Sequence, residues 1–243
     1  MSSGKKLYLS VMVLVITALY ICFIALDFSR FNGLDYYYGY YTSAVLKRIT
    51  VLLAAVVAWT MGKDRLSSED GNIMKVVFFI ICSAEVVFLF GRFIIGMVLY
   101  GVCQSFLIIR NGRGLLNKLK YADNGKRICI KTIGLLIIIA VVLMTTMTCK
   151  TLGINTMVIA AWIYGTVLSI SLWTGFVCKV LDLLPRKNSD MVAAGMFCFY
   201  CCDILVGLDA VMKVSFTWLI VNSFIWVFFT PAVTLLALSS YKL

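Results

Sequence analysis

Eight apolar segments divide this chain of 243 residues, and each is long enough to cross a membrane as a helix. A hydrocarbon core of about 30 Å needs roughly 20 apolar residues at a rise of about 1.5 Å each. Backbone groups in lipid must be hydrogen-bonded within the chain, so such segments indicate helices. The predicted fold is an all-α membrane protein, a bundle of eight transmembrane helices that forms a single domain over residues 1–243. The predicted spans are about 7–26, 44–61, 73–91, 93–109, 130–148, 156–178, 190–208 and 216–239.

The composition excludes a soluble globule. Hydrophobic residues make up 62% of the chain and charged residues 14%, against about half and about a quarter in soluble domains. The net charge of +11 does not indicate nucleic acid as a partner, because loop Lys and Arg hold the cytoplasmic side of membrane proteins in place. We expect an integral, multi-pass protein of a bacterial plasma membrane.

Neither a metal nor an organic cofactor is expected. The chain has nine cysteines and no histidine. Most of the cysteines lie in apolar segments, where a thiol packs as a small hydrophobe. Cys198 and Cys201 have the CxxC spacing, but they fall in the middle of a predicted span without further ligands nearby.

Basic residues are distributed unevenly between the two ends of the predicted spans. If the amino terminus is inside, 16 of the 22 basic residues fall at the cytoplasmic ends. This asymmetry predicts that both termini are cytoplasmic. The six basic residues at the outer ends are Arg30, Lys47, Arg48, Arg92, Lys150 and Lys213.

Two acidic residues fall inside apolar segments, where an ionisable group is costly unless it is paired or neutral. Glu85 lies in the third span, in FFIICSAEVVFLFG, and Asp203 in the seventh, in AAGMFCFYCCDILVGL. The other nine acids are expected in loops or at helix ends. Both spans run from inside to outside, so the two carboxyls can share a depth in their outer halves. The spacing of four spans, with the similar pieces SAEVVFLF and CCDILVGL, suggests a 4+4 internal repeat.

Two neighbouring carboxyls in a low dielectric do not both stay ionised without a large energetic cost. We therefore expect one to hold a proton while the other is charged. An acid and a base of this kind suit hydrolysis of an acid-labile bond. The structural alternative is that each carboxyl only forms a hydrogen bond to a neighbouring helix, through Ser83, Gln104 or a tyrosine.

Three short motifs contain or flank these carboxyls, and together they resemble the motifs of the YhhN family of membrane proteins, which includes the lysoplasmalogenases. The family patterns are Ser-x-x-Gly-Asp or similar, Gly-x-x-x-Phe-x-x-x-His-x-x-Tyr and Gly-Ala-x-x-Phe-x-x-Ser-Asp-x-x-Leu. The resemblance runs from about residue 44 to the carboxyl terminus. The matching residues here are Ala84 and Glu85; Gly96, Tyr100, Gln104 and Leu107; Gly195, Phe199, Cys202 and Asp203; and, outside the motifs, Lys47 and Tyr164.

The resemblance implies an ether hydrolase that cleaves the vinyl ether bond of lysoplasmalogens to a fatty aldehyde and a glycerophospho-base. Its substrate would be a membrane lipid of the lysophospholipid kind, and the reaction needs no cofactor. Glu85 and Asp203 would be the catalytic acid and base, in an order that the sequence leaves open. The substrate-binding residues would be Tyr100, Gln104, Lys47 and Tyr164.

Three positions depart from the family pattern: Glu85 replaces Asp, Gln104 replaces His and Cys202 replaces Ser. Gln104 forms hydrogen bonds but does not titrate. The alternative function is therefore a catalytically inactive family member that binds or moves lipid or a small solute. A third interpretation is a proton-coupled transporter, but neither Pro185 nor Pro231 lies between apolar half-helices, as broken transporter helices require.

Overall fold

Eight long apolar helices and one short helix make up the described part of the protein, a computed structural model that describes residues 2–31, 36–210, 212 and 216–242. All but the short α5 are long and apolar enough to cross a membrane, which confirms the predicted eight-span bundle. The helices are α1 Ser3–Phe31, α2 Tyr36–Trp59, α3 Ser68–Leu89, α4 Phe93–Asn111, α5 Leu115–Lys120, α6 Asn124–Leu152, α7 Thr156–Val180, α8 Arg186–Asp209 and α9 Phe216–Leu238.

Several helices begin before the apolar pattern does, because capped polar turns extend them. α6 begins at Asn124 rather than at 130, and the Asp123 side chain caps it by accepting a hydrogen bond from the backbone N–H of Lys126 at 2.8 Å. α5 lies between the predicted spans 93–109 and 130–148. A tight turn joins α3 and α4, with Gly91 at φ +68°, a conformation that favours glycine.

Six of the helices form a closed ring in the order α2, α3, α4, α7, α8 and α9, with α9 packing back against α2. α1 packs outside the ring on α2 and α9, and α6 packs outside it on α7. In this order α2–α3–α4 correspond to α7–α8–α9. The 4+4 internal repeat stays a prediction, since α1 contacts both α2 and α9 whereas α6 packs mainly on α7. α9 continues through Pro231 from Phe216 to Leu238 without a break.

The glycines of the two long motifs are points of close helix packing. A Cβ atom on Gly96 would lie 2.6 Å from the ring of Phe88 in α3, and one on Gly195 would lie 3.1 Å from the side chain of Leu236 in α9. Small residues let neighbouring membrane helices approach in this way. The spacing of the motif residues therefore reflects close packing between helices as well as the side chains that lie inside the ring of helices.

Both chain termini lie at the same end of the bundle. The Lys5 ammonium donates to the Thr60 carbonyl after α2, and the Asn188 amide at the start of α8 donates to the Tyr241 carbonyl at 2.6 Å. Burial raises the pKa of Tyr241 to about 12, and its hydroxyl donates to the Val57 carbonyl at 2.6 Å. The assignment of this end to the cytoplasm remains a prediction from the distribution of basic residues.

Candidate active site

Two of the acids that the sequence places near helix ends are buried and paired with bases. Asp27 in α1 is 1% exposed and its Oδ2 lies 2.6 Å from the Lys47 Nζ in α2. Asp70 in α3 is 4% exposed and its Oδ1 lies 2.6 Å from the Arg110 Nε in α4. Each carboxylate therefore has its charge compensated within the bundle. Because each carboxylate is paired with a buried cation, neither is a candidate for acid–base chemistry.

Glu85 and Asp203 are different, because both are only half-buried. Among the residues that the structure describes, no Lys or Arg forms an ion pair with either of them. The hydroxyl of Tyr100 donates to the Glu85 Oε1 at 2.8 Å. The hydroxyl of Tyr164 donates to the Asp203 Oδ2 at 2.5 Å. Both carboxyls are thus partly accessible, polar and without an ion-pair partner, inside an apolar bundle.

The structural alternative predicts that each carboxyl forms a hydrogen bond to Ser83, Gln104 or a tyrosine. Tyrosines are the partners observed, and the Ser83 hydroxyl does not bond to either carboxyl. That hydroxyl donates instead to the Phe79 carbonyl of its own helix at 2.9 Å. A tyrosine bond also leaves the second oxygen of each carboxyl available. Hydrogen bonding to tyrosine is therefore compatible with both a structural and a chemical role, and only measurements of activity separate the two.

The two carboxyl–tyrosine pairs lie near each other along four consecutive helices of the ring, α3, α4, α7 and α8. The Tyr164 ring lies against Gly101, where an added Cβ would be 3.8 Å from it, and Tyr100 lies within electrostatic reach of both carboxyls. Glu85 lies four residues before the end of α3, and Asp203 six before the end of α8. These intervals correspond to depths of about 6 and 9 Å. The two carboxyls thus lie at similar distances from the ends of their helices, and their shared depth in a membrane stays a prediction.

Aromatic rings pack around Tyr100 at the centre of the bundle. Its ring centroid lies 5.8 Å from that of Phe88, 5.9 Å from that of Phe199 and 6.2 Å from that of Phe229. Trp226 packs edge-on against Phe229 at 5.5 Å. These rings make the surroundings of the carboxyls apolar, and their faces attract positive charge.

Gln104 lies one turn after Tyr100 on the same face of α4 and is fully buried. Neither its Nε2 nor its Oε1 has a hydrogen-bond partner among the described residues. A buried amide without partners costs about 1–3 kcal/mol. Buried polar groups are normally hydrogen-bonded, and a ligand or a water molecule bound in the site would supply the partners that the Gln104 amide lacks.

Lys47 is buried rather than directed into an open cavity. Its ammonium pairs with Asp27, which also accepts a hydrogen bond from the Ser43 hydroxyl at 2.5 Å. The same ammonium lies 5.6 Å from the centroid of the Phe23 ring and 5.8 Å from that of Trp226. A role for Lys47 in binding substrate stays a prediction, and it requires the pair with Asp27 to share or release the ammonium.

Arg48 is a residue that the sequence interpretation missed. The prediction that Lys47 and Arg48 mark an outer helix end is wrong, because α2 begins at Tyr36 and both bases lie within it. The Arg48 guanidinium lies within electrostatic reach of Glu85. The available signal was the position of two bases inside an apolar segment. Of the other predicted outer bases, Lys213 lies outside the described residues.

No group of three Cys, Asp or Glu side chains that could hold a metal ion occurs within the described ranges. Cys198, Cys201 and Cys202 are free thiols. Cys202 is buried beside Asp203 in α8, as expected for a thiol used in packing.

Comparison with known proteins identifies a family. The model of the YhhN family matches residues 42–240, from the early part of α2 to just beyond α9. The match covers Lys47, Glu85, Tyr100, Gln104, Tyr164 and Asp203. No curated protein and no solved structure matches the chain.

Proposed function

Because this chain belongs to the YhhN family, we propose that it is a membrane-embedded lipid hydrolase resembling a lysoplasmalogenase. The observation that carries the proposal is the pair of half-buried carboxyls, Glu85 and Asp203, each hydrogen-bonded to a tyrosine and without an ion-pair partner among the described residues. An apolar, aromatic site within a transmembrane bundle suits a lipid with one hydrocarbon chain. The bond cleaved is the vinyl ether at the head of that chain.

The proposed reaction begins with a proton transfer to carbon. One carboxyl in its acid form donates its proton to the vinyl carbon that is not bonded to oxygen, which leaves an oxocarbenium ion. The other carboxylate stabilises the cation and takes a proton from the attacking water. In the collapse of the hemiacetal, the newly protonated carboxyl gives its proton to the leaving glycerol oxygen and the other carboxylate takes the hydroxyl proton, which releases a fatty aldehyde and a glycerophospho-base and restores both groups. Which carboxyl serves as the acid is left open.

The remaining site residues have orienting roles in this proposal. Tyr100 and Tyr164 fix the carboxyls through their hydroxyls, and the aromatic cluster around Tyr100 lies where positive charge develops. The unpartnered amide of Gln104 offers both a donor and an acceptor to substrate or water. Arg48, whose guanidinium lies within electrostatic reach of Glu85, is the proposed partner of the substrate phosphate, and Lys47 would join it only by leaving its pair with Asp27.

The test is an assay of the purified protein in detergent with three lysolipids of the same headgroup and chain length. One carries a 1-alkenyl chain, one a 1-acyl chain and one a 1-alkyl chain. We expect aldehyde release from the alkenyl lipid alone, because only a vinyl ether gives an oxocarbenium ion on protonation. Protein that binds the alkenyl lipid without releasing aldehyde would instead be the inactive, lipid-binding family member, for which the non-titrating Gln104 is the specific indication.

Gln104→Leu tests whether the unpartnered amide serves the site. We expect kcat/KM to fall about tenfold, because an interaction with substrate or water is lost, while the melting temperature stays the same or rises. Leu removes a buried amide that bonds to no described residue, so the fold loses no hydrogen bond seen in the structure.

Activity and thermal unfolding of the same Gln104→Leu preparation are the two measurements. A structural role for the amide predicts the opposite result, a lower melting temperature with activity per folded molecule unchanged. Ser105→Ala is the control, since its hydroxyl donates to the Gly101 carbonyl on the exposed side of α4. It should change neither quantity appreciably.

A further inference from the structure

A groove of about 990 Å³ lies outside the helix ring, between α5, α6 and α7. Three exposed cations line one end of it: Lys120, Arg127 and Lys131. None of the residues that line the groove is acidic. The Arg127 guanidinium donates to the Lys120 carbonyl at 2.8 Å, which holds the bases of α5 and α6 together. The groove therefore has a cationic end in which the Arg127 side chain links α6 to the backbone of α5.

The rest of the groove is apolar in effect. Thr166 and Ser169 are its hydroxyl residues on α7, but they donate to carbonyls of their own helix, at 2.8 and 2.7 Å. Trp173 forms part of the wall, with its indole N–H donating to the Ile130 carbonyl at 3.3 Å. The ring packs on the α6 backbone at Gly134, where a Cβ would lie 3.2 Å from it. The hydroxyls of Thr166 and Ser169 and the indole N–H of Trp173 thus all donate to backbone carbonyls.

The length of the groove matches one leaflet of a membrane. Its lining on α6 begins at Arg127, and the part from the last cation, Lys131, to Val142 is about 16 Å long along the helix. Half of a hydrocarbon core is about 15 Å. The cationic end lies at the end of the bundle that carries both termini, since the neighbouring Lys118 donates to the Asp182 carbonyl before α8.

We propose that this groove binds an anionic glycerophospholipid of that leaflet, with the phosphate at Lys120, Arg127 and Lys131 and an acyl chain along α6 and α7. Basic pockets between transmembrane helices on the cytoplasmic side bind such headgroups. A second copy of the chain fits less well, because a two-fold contact across the groove would bring the same three cations together. The groove is separate from the Glu85–Asp203 site, so an experiment can reject the lipid-binding proposal without rejecting the proposed hydrolase function, and the reverse.

The charge test uses phosphatidylglycerol and phosphatidylcholine with identical acyl chains, bound to the detergent-purified protein and measured by native mass spectrometry. We expect the wild type to prefer phosphatidylglycerol at least about tenfold. Lys120→Gln/Arg127→Gln/Lys131→Gln should bring the two lipids close to parity. The matched control is Lys63→Gln/Arg186→Gln/Lys187→Gln, which removes two Lys and one Arg exposed at the same end of the bundle and should keep the preference.

The shape test fills the groove without changing charge. Ile138→Trp places a large ring in the groove, and Leu136→Trp, on a residue of the same exposure outside it (60% and 61%), is its control. Only Ile138→Trp should reduce phosphatidylglycerol binding, several-fold, with equal melting temperatures. The proposal fails if the control triple variant loses the preference for phosphatidylglycerol as fully as the groove triple variant does. It also fails if Ile138→Trp binds lipid as the wild type does, or if the groove variants change the oligomeric state and leave lipid binding unchanged.

Discussion

Asp203→Asn is expected to lower the rate of aldehyde release from a 1-alkenyl lysolipid by about a thousandfold, the usual scale of general acid–base catalysis. Asn keeps the shape of the side chain, and its amide oxygen still accepts the Tyr164 hydroxyl that now contacts the Asp203 Oδ2. The melting temperature should therefore change little. What is lost is the group that takes up and gives back a proton.

Asp209→Asn is the matched control for this variant. It is the same substitution on the same helix, at the end of α8, where the carboxyl accepts a hydrogen bond from the Asn222 amide at 3.2 Å. Turnover by Asp209→Asn should equal that of the wild type. Equal losses in the two variants, or a loss in Asp203→Asn that follows its folded fraction, would show that the Asp203 carboxyl has a structural role only.

Arg110→Met is expected to reduce the free energy of unfolding by about 3–5 kcal/mol, because it leaves the Asp70 carboxylate buried without a counter-ion. The guanidinium also donates to the Ser239 hydroxyl at 2.9 Å and to the Ser240 hydroxyl at 3.0 Å. It thereby holds the residues after α9 against the ends of α3 and α4. Denaturant unfolding in detergent measures the change.

Arg113→Met provides the comparison, since Arg113 pairs with Glu69 at 2.8 Å on the surface, with side chains 38% and 78% exposed. Exposed pairs contribute about 0–1 kcal/mol, so this variant should unfold close to the wild type. Arg110→Met combined with Asp70→Leu should recover part of the lost stability by removing the unpaired charge. Similar losses in Arg110→Met and Arg113→Met would contradict the assignment of the buried pair as a structural lock.

The number of spans and their order could be predicted because hydrophobicity over about 20 residues is a local property of the chain. Helix ends could not be predicted as well, since a cap such as Asp123 extends α6 with polar residues that carry no apolar signal. The same limitation placed Lys47 at a helix end rather than inside α2.

The candidate site was predictable as far as the residue types allow. A carboxyl inside an apolar segment, such as Glu85 or Asp203, can be recognised from the sequence alone. Its hydrogen-bond partner cannot, because the partner comes from another part of the chain. Tyr164 is 39 residues from Asp203, and the family resemblance named it as a substrate-binding residue but not as the partner of Asp203. The pairing of Asp27 with Lys47 and the proximity of Arg48 to Glu85 likewise depend on how the helices pack.

The central claim is that Glu85 and Asp203 work as one acid–base unit, and a double-mutant cycle in the alkenyl-lipid assay tests it most directly. Turnover is measured for the wild type, Glu85→Gln, Asp203→Asn and the double variant at equal concentrations of folded protein. Groups that act together are strongly non-additive. We predict that each single variant loses most of the activity and that the double variant is no slower than the slower single. Losses that multiply in the double variant, or a single variant as active as the wild type, would contradict the claim.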